Sequence, residues 1–471
     1  MRLAWFSPWP PQTGDAAGRS ATATAALAAR GFAIDVFVDE TRCAVARVET
    51  TAPPAPGQVR VLGAHDVVWR HARAPYDLAV YHLADTADHA YVWAYLFRRP
   101  GLTVLHDGRL HQSRSRALLA DGRRDDYRAE FMWNHPGVAA AAAELAVNGY
   151  EGAFSCQWPM VRTALAASRL TLTHAEGALD DLRETAGAAA VEYVPASDGG
   201  SLPADDREVR ARARARLGWP DTAVVFGVFD ALSPDRRVPQ ILRAFASVRA
   251  HARDARLVLA GPRDPSLDVP ALVGSLDLAG IVDVIDAPGS LDARDVTTDA
   301  AIAASDIVLS LRWPAALDTP SSWLRALAAA RATVLLDLIH QAGVPALDPR
   351  TWRRHAPHGP GEDAHAVTVA LDVMDEDHSL RLALQRLATD ASLRARLGRA
   401  GRAYWERRHA PASMIEGYAA AIARTATLAP LEVALPAHLR PDPLALAGAL
   451  IEPFGEAVAG PLRSLGASES H

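Results

Sequence analysis

Short apolar runs alternate along the chain with longer stretches whose apolar residues recur every three or four positions. The short runs, bounded by turn residues, fit buried strands; the longer repeat fits helices that bury one face. Strands are expected at 3–6 (LAWF), 33–38 (AIDVFV), 77–81, 102–105, 170–173 and 191–194. A Pro- and Gly-rich loop over 7–18 leads into an Ala-rich helix ending at Arg30. Further helices are expected at 87–97 and 176–185, with a helix-rich block over 117–168. Residues 198–220, DGGSLPADDREVRARARARLGWP, break the order; their turn residues and charge run read as a solvated linker with one Arg-rich helix. A second series follows, with strands at 223–229, 256–260, 282–285, 306–311 and 333–336. Its helix over 238–252 sets Ile241, Phe245 and Val248 on one face. Helices at 379–388, 391–407 and 411–424 close the chain, before a Pro-punctuated tail from 429 with one short helix at 444–454. The fold class is α/β, with two doubly wound parallel sheets.

Composition narrows this picture. The chain has 471 residues, too many for one ordinary core, so two or three domains are expected. No apolar run approaches the roughly 20 residues that cross a bilayer. The opening MRLAWFSPWPP reads as a strand and lacks the long apolar core of a signal peptide, so a cytoplasmic protein is expected. Cys43 and Cys156 alone make no disulfide framework. A net charge of −6 argues against a general nucleic-acid binder. All 49 basic residues are arginine, which rules out Schiff-base chemistry and a P-loop lysine. An anion site must therefore use arginine, backbone N–H groups, hydroxyls or histidine.

Ligands in such sheets bind beyond the carboxyl ends of the strands, which confines the search to four loops. After strand 306–311 comes a Pro-rich loop and then Thr319-Pro320-Ser321-Ser322. Thr319 is expected as N-cap, Pro320 as the first helical residue, and Ser321 and Ser322 as free amides and hydroxyls that attract phosphate. A plain helix cap is the commoner use of such a sequence. FDALSPDRRV, 229–238, puts Arg236 and Arg237 at a helix start, where a cation is tolerable if an anion is shared; a solvent-facing arginine is the alternative. FSPWPPQTGDAAG, 6–18, carries Gly14 and Gly18, which allow close backbone approach, but no G-x-G-x-x-G. VLHDGRLH, 104–111, places His106 and Asp107 at a strand end, able to orient a hydroxyl or move a proton, or simply to satisfy a turn. His111 lacks the companions a metal needs. His82, His89, His135 and His174 are expected to be structural.

Several stretches resemble one branch of the retaining glycosyltransferases of family 4. FSPWPPQTGDA resembles its SPxPPxxSGIA opening. YDLAVYHLADTADHAYVWAYLFRRPGLTVLHDGRLH resembles YDxxxYxxGNxxxH…PGxxVLHDxxLH. FDALSPDRRVPQILRAFASVRAHARDARLVLAGP and AASDIVLSLRWPAALDTPSSWLRALAAARATVLLD are similar to its two donor-side motifs, and GRAGRAYWERRHAPASMIEGYAAAI to its C-terminal helical pair. The resemblance implies the GT-B fold, two Rossmann-like domains facing a central cleft. On that pattern residues 1–197 form the acceptor side, 198–220 the linker, and 221–405 the nucleotide-sugar side. Residues 406–427 cross back to the N-terminal domain and 428–471 form a tail.

The resemblance implies transfer of a sugar from a nucleotide-diphosphate sugar to an acceptor hydroxyl, with retention of configuration and without metal or cofactor. It puts Arg236 at the diphosphate, with Gly14, Asp318, Ser321 and Ser322, and His106 and Asp107 at the reaction centre; Arg237 and Thr319, beside them in the loops, complete the candidate donor site. Implied partners are the nucleotide sugar and an acceptor that is a glycan, a lipid-linked sugar or a protein. A membrane surface touched peripherally and a partner glycosyltransferase complete that set, in bacterial cell-surface polysaccharide synthesis. The chain departs from the pattern at Leu317, Asp318, Pro320, Asp230 and Ala84-Asp85, where the family has Gly, Glu, a small residue, Gly and Gly-Asn. Those departures support a second reading, an eroded relative that binds or assembles with an active transferase. A sugar-nucleotide epimerase ranks below both.

Overall fold

A computed structural model describes residues 1–12, 14–43, 52–150, 154–198, 207–285, 296–314, 319–338, 341, 343–355 and 365–440. The N-terminal sheet contains β1 (Arg2–Phe6), β2 (Ala33–Val38), β3 (Val59–Gly63), β4 (Leu78–Leu83), β5 (Leu102–Leu105), β6 (Leu170–Thr173) and β7 (Val191–Tyr193). All pairings are parallel and the order is β3-β2-β1-β4-β5-β6-β7. β3 is an addition to the sequence reading: VRVLG interleaves arginine with its apolar residues, and its first three residues are only partly buried.

The C-terminal sheet contains β8 (Val225–Val228), β9 (Arg256–Ala260), β10 (Val282–Ile285), β11 (Ile307–Leu309), β12 (Ala332–Leu336), β13 (Ala346–Leu347), β14 (Arg354–His355) and β15 (Thr368–Leu371). Its order is β10-β9-β8-β11-β12-β15-β13-β14, parallel except between β13 and β14. The expected five strands form one side of it, from the β10 edge to β12; β13 and β14, of two residues each, do not stand out in the sequence. Strands this buried read as unbroken apolar runs, because helices cover both faces of a parallel sheet.

The Arg-rich helix Arg207–Leu217 is not solvated along its length. Arg214 is 1% exposed and donates to the Ala304, Pro220, Asp221 and Ala223 carbonyls and to Asp306 at 2.8 Å. Arg210 reaches the same carboxylate at 2.6 Å. A guanidinium has five donors, so this run of carbonyls at a strand edge satisfies it inside the protein.

The helix Ala391–Arg408 lies against the C-terminal sheet through Gly398, where a Cβ would come within 2.1 Å of the Ala330 carbonyl oxygen. The helix Pro411–Thr427 then packs on the N-terminal sheet. Met414, Tyr418 and Ile422, spaced for one helical face, join the cluster of Leu3, Trp5, Val80 and Val104. The chain thus passes twice between the sheets, and the passages are bonded together. Trp405 Nε1 donates to the Asp198 carbonyl at 2.9 Å, and His409 Nδ1 to the Ala196 carbonyl at 2.8 Å. Beyond 428 the tail returns over the N-terminal domain. Leu439 enters its core, Trp133 holds the Ala434 carbonyl at 2.9 Å, and His438 Nε2 lies 2.7 Å from buried Glu130. The expected helix at 444–454 lies outside the described residues.

Candidate functional site

The loops after β1, β8, β9 and β11 converge between the two sheets and enclose a cavity of about 580 Å³. Gly14, Asp15, Asp230, Arg312, Ser321 and Ser322 are among its lining residues. Gly14 has φ 138°, a conformation that only glycine adopts without strain, at the start of the helix Asp15–Ala29. Gly261 sits so close to the neighbouring loop that a Cβ would come within 1.8 Å of the Asp230 carbonyl oxygen.

The helix Ser321–Ala328 points its N-terminus at this cavity. Its cap differs from the sequence expectation. Pro320 is the N-cap, because the Thr319 hydroxyl leaves the helix to donate to the His174 carbonyl at 2.9 Å across the domain boundary. The Ser322 hydroxyl pairs with Ser310 at 2.9 Å. The Ser321 hydroxyl is buried and has no hydrogen-bond partner among the described residues. The Ser321 N–H donates to Asp15 Oδ2 at 3.3 Å, so a carboxylate from the N-terminal domain takes an anion's place at this helix end. Asp318 lies outside the described residues.

The cationic side of the cavity is also matched by the protein's own carboxylates. Arg312 binds Asp230 at 2.8 Å and Arg236 approaches the same carboxylate at 3.4 Å. Burial pushes the Asp230 carboxyl up, but Arg236 and Arg312 outweigh that and leave it at about 2. Arg325 pairs with Asp299 at 3.2 Å, and Arg19 with Asp198 at 2.6 Å. Arg19 also donates to the Thr319 carbonyl at 3.1 Å, which ties the two domains together. Arg236 is therefore at the cavity's edge through Asp230. Arg237 is not: its left-handed backbone (φ 56°) turns the guanidinium onto Glu376, with Nε to Oε1 at 2.8 Å. The sequence motifs assign no site role to Arg312, Arg19 and Asp15, although Arg312 is the first charged residue after β11 and Asp15 the first after β1.

His106 and Asp107 follow β5 but neither lines the cavity. His106 is 6% exposed, and its Nε2 lies 2.8 Å from His82 Nδ1. The His174 ring lies 5.4 Å from it, and His89 binds the His82 carbonyl at 2.7 Å. Burial holds these imidazoles neutral: His89 falls to about 4, His174 to about 3, and His82 and His106 lie well below the usual range. Among the described residues, His106 Nδ1 and His82 Nε2 are buried without partners. The Asp107 carboxylate accepts the Arg109 N–H at 3.0 Å, closing a turn. His111 is used structurally, binding the Trp158 carbonyl and the Tyr127 hydroxyl. Among the described residues no group of three or more His, Cys, Asp or Glu is placed to hold a metal ion, and no helix is long and apolar enough to cross a membrane.

No protein-family model matches the chain, and no curated protein matches it. Solved structures do. HepE from Anabaena, in complex with UDP and glucose, superposes with a TM-score of 0.58 at 14% identity, covering 90% of this chain and 100% of that one. Sucrose-phosphate synthase from Thermosynechococcus elongatus gives 0.58 at 14% identity, with 90% and 98% covered. WaaG, a glycosyltransferase involved in lipopolysaccharide biosynthesis, gives 0.54 at 13% identity, with 90% and 99% covered. These likenesses show the fold: two Rossmann-like domains in the GT-B arrangement.

Proposed function

We propose that this chain is a glycosyltransferase that takes a sugar from a nucleotide-diphosphate donor to an acceptor hydroxyl, retaining configuration and needing no metal. One observation carries the reading. A cavity at the carboxyl edges of two facing sheets combines a helix N-terminus, an unpartnered buried serine hydroxyl and an arginine. That set suits a diphosphate leaving group, whose developing charge is stabilised by fixed dipoles and cations. HepE, which shares the fold, has been crystallised with UDP-glucose.

In this mechanism Arg312 and Arg236 hold the diphosphate, with the Ser321 and Ser322 end of the helix beside it. Gly14 brings the opposite backbone close. The acceptor, a glycan, lipid-linked sugar or protein, lies against the N-terminal domain and attacks from the face the diphosphate leaves. His106 and Asp107 orient the sugar or acceptor once donor binding has rearranged their surroundings. The protein works in the cytoplasm, with its acceptor free or at a membrane surface.

Incubation with UDP, GDP, ADP and dTDP sugars, with and without EDTA, tests this. Release of nucleoside diphosphate that survives EDTA is the expected result, and proton NMR of the product reads the anomeric configuration. No release and no calorimetric binding across the panel refutes it. The eroded-relative reading has its own observation: Asp15 and Asp230 already occupy the Ser321 amide and Arg312. It predicts donor binding without turnover.

A further inference from the structure

Away from the interdomain cleft, the N-terminal domain holds a second cavity of about 420 Å³. It lies between the helices Val67–Arg73 and Val92–Arg98, over β1 and β4. The sheet leaves room there because Ala4 and Ala79, which share its face with Phe6 and Tyr81, are small. The floor is aromatic. Phe6 stacks on Tyr81 and on Tyr95, each at 4.9 Å between centroids. Two of the tyrosine hydroxyls are engaged within the protein: Tyr81 donates to the Arg99 carbonyl at 2.8 Å and Tyr76 to Asp35 at 2.7 Å.

The mouth is the reverse. It opens at the amino ends of β4, β5 and β6, where Arg98, Arg99 and Arg169 stand. Among the described residues no hydrogen bond or ion pair holds any of these three guanidinium groups, and Arg169 Nε is buried without an acceptor. The arginines of the interdomain cleft each have a carboxylate, so this mouth contrasts with the site already described. His71 adds a fourth donor. Its Nδ1 accepts the Tyr76 N–H at 3.2 Å, which leaves the proton of the neutral ring on Nε2. Burial, Arg99 and Arg2 lower the His71 pKa, so that ring stays neutral. The one carboxylate at the rim, Asp77, is engaged by the Arg2 N–H at 2.6 Å.

We propose that this cavity binds a small amphiphilic anion, with its apolar ring or chain on the Phe6, Tyr81 and Tyr95 surface. Its carboxylate or phosphate meets Arg98, Arg99 and Arg169 at the mouth. An apolar floor alone would favour a neutral ligand, and unpaired arginines alone would favour any anion; only a molecule with both parts uses both surfaces. The cavity volume lies within the range of sites that enclose small molecules. This inference is independent of the transferase reading, since it uses no residue of the interdomain cleft.

Isothermal calorimetry of the full chain with decyl phosphate, kept below its micelle concentration, tests it. Decanol and inorganic phosphate are the two half-ligand controls. We expect one molecule of decyl phosphate per chain, a raised melting temperature, and at least about tenfold weaker binding of either control. Ala79→Leu fills the cavity and should abolish binding while the protein remains folded. Arg98→Gln, Arg99→Gln and Arg169→Gln together should weaken it about 100-fold, with the melting temperature of the free variant checking that it remains folded. Absence of binding, binding that persists in both variants, or decanol binding as tightly as decyl phosphate each overturns the proposal.

Discussion

Replacing Asp230 by asparagine should strengthen nucleotide binding, even though it removes a buried ion pair. Arg312 reaches Asp230 at 2.8 Å, and both line the cavity. A phosphate oxygen taking the cavity side of that guanidinium lies about 5 Å from the carboxylate, roughly two hydrogen-bond lengths away. Two unit charges at that distance repel by about 3 kcal/mol at an effective dielectric near 20, and solvent at the open side roughly halves this. The gain for UDP is therefore about 1.5–3 kcal/mol, or roughly 10- to 100-fold in Kd. Asparagine keeps an oxygen for Arg312, so the guanidinium stays oriented. The Asp230 carboxyl sits at about 2, so it remains charged throughout an assay between about pH 5 and 8, and acidification cannot imitate the substitution. The stability it contributes is present above its unfolded value near 4 and is lost as pH falls through about 2. Calorimetry with UDP at two salt concentrations reads the effect, which should shrink in high salt. Equal or weaker binding by Asp230→Asn would refute the reasoning and show that Asp230 positions the arginines for the ligand.

Asp15→Ala frees the Ser321 amide and removes one of the contacts across the cleft; small-angle scattering should show a larger radius of gyration than the parent. Gly398→Ala drives a methyl group into the Ala330 carbonyl and should cost about 2 kcal/mol, read as a lower denaturation midpoint with unchanged slope. Below about pH 6.5 the unfolded chain protonates its histidines while His89 and His174 stay neutral in the fold, down to about 4 and about 3. Stability should therefore fall on acidification from about pH 6.5, by about 2 kcal/mol per histidine at pH 5, and His89→Gln should reduce the slope.

The parallel strands were legible because burial on both faces leaves many of them nearly free of polar residues, as in Val225–Val228 and Ile307–Leu309. β3 was harder to read because arginine dilutes its apolar residues where they are only partly buried. Gly14, Ser321 and Ser322, some 300 residues apart in sequence, do meet at one cavity. Their positions after strands were sufficient signal, since a doubly wound sheet gathers those loops. What remained hidden depended on tertiary partners. No local pattern reveals that Thr319 prefers the His174 carbonyl to its own helix, or that Arg237 turns to Glu376, 139 residues on. Asp15 is a weaker case: its place after β1 was visible, but its bond to the Ser321 amide was not.

Trp405 and His409 fasten the second crossing of the chain to the carbonyls of the first. The two crossings thus form one joint instead of two separate strings, and Arg19, which holds both Asp198 and the Thr319 carbonyl, ties that joint to each lobe.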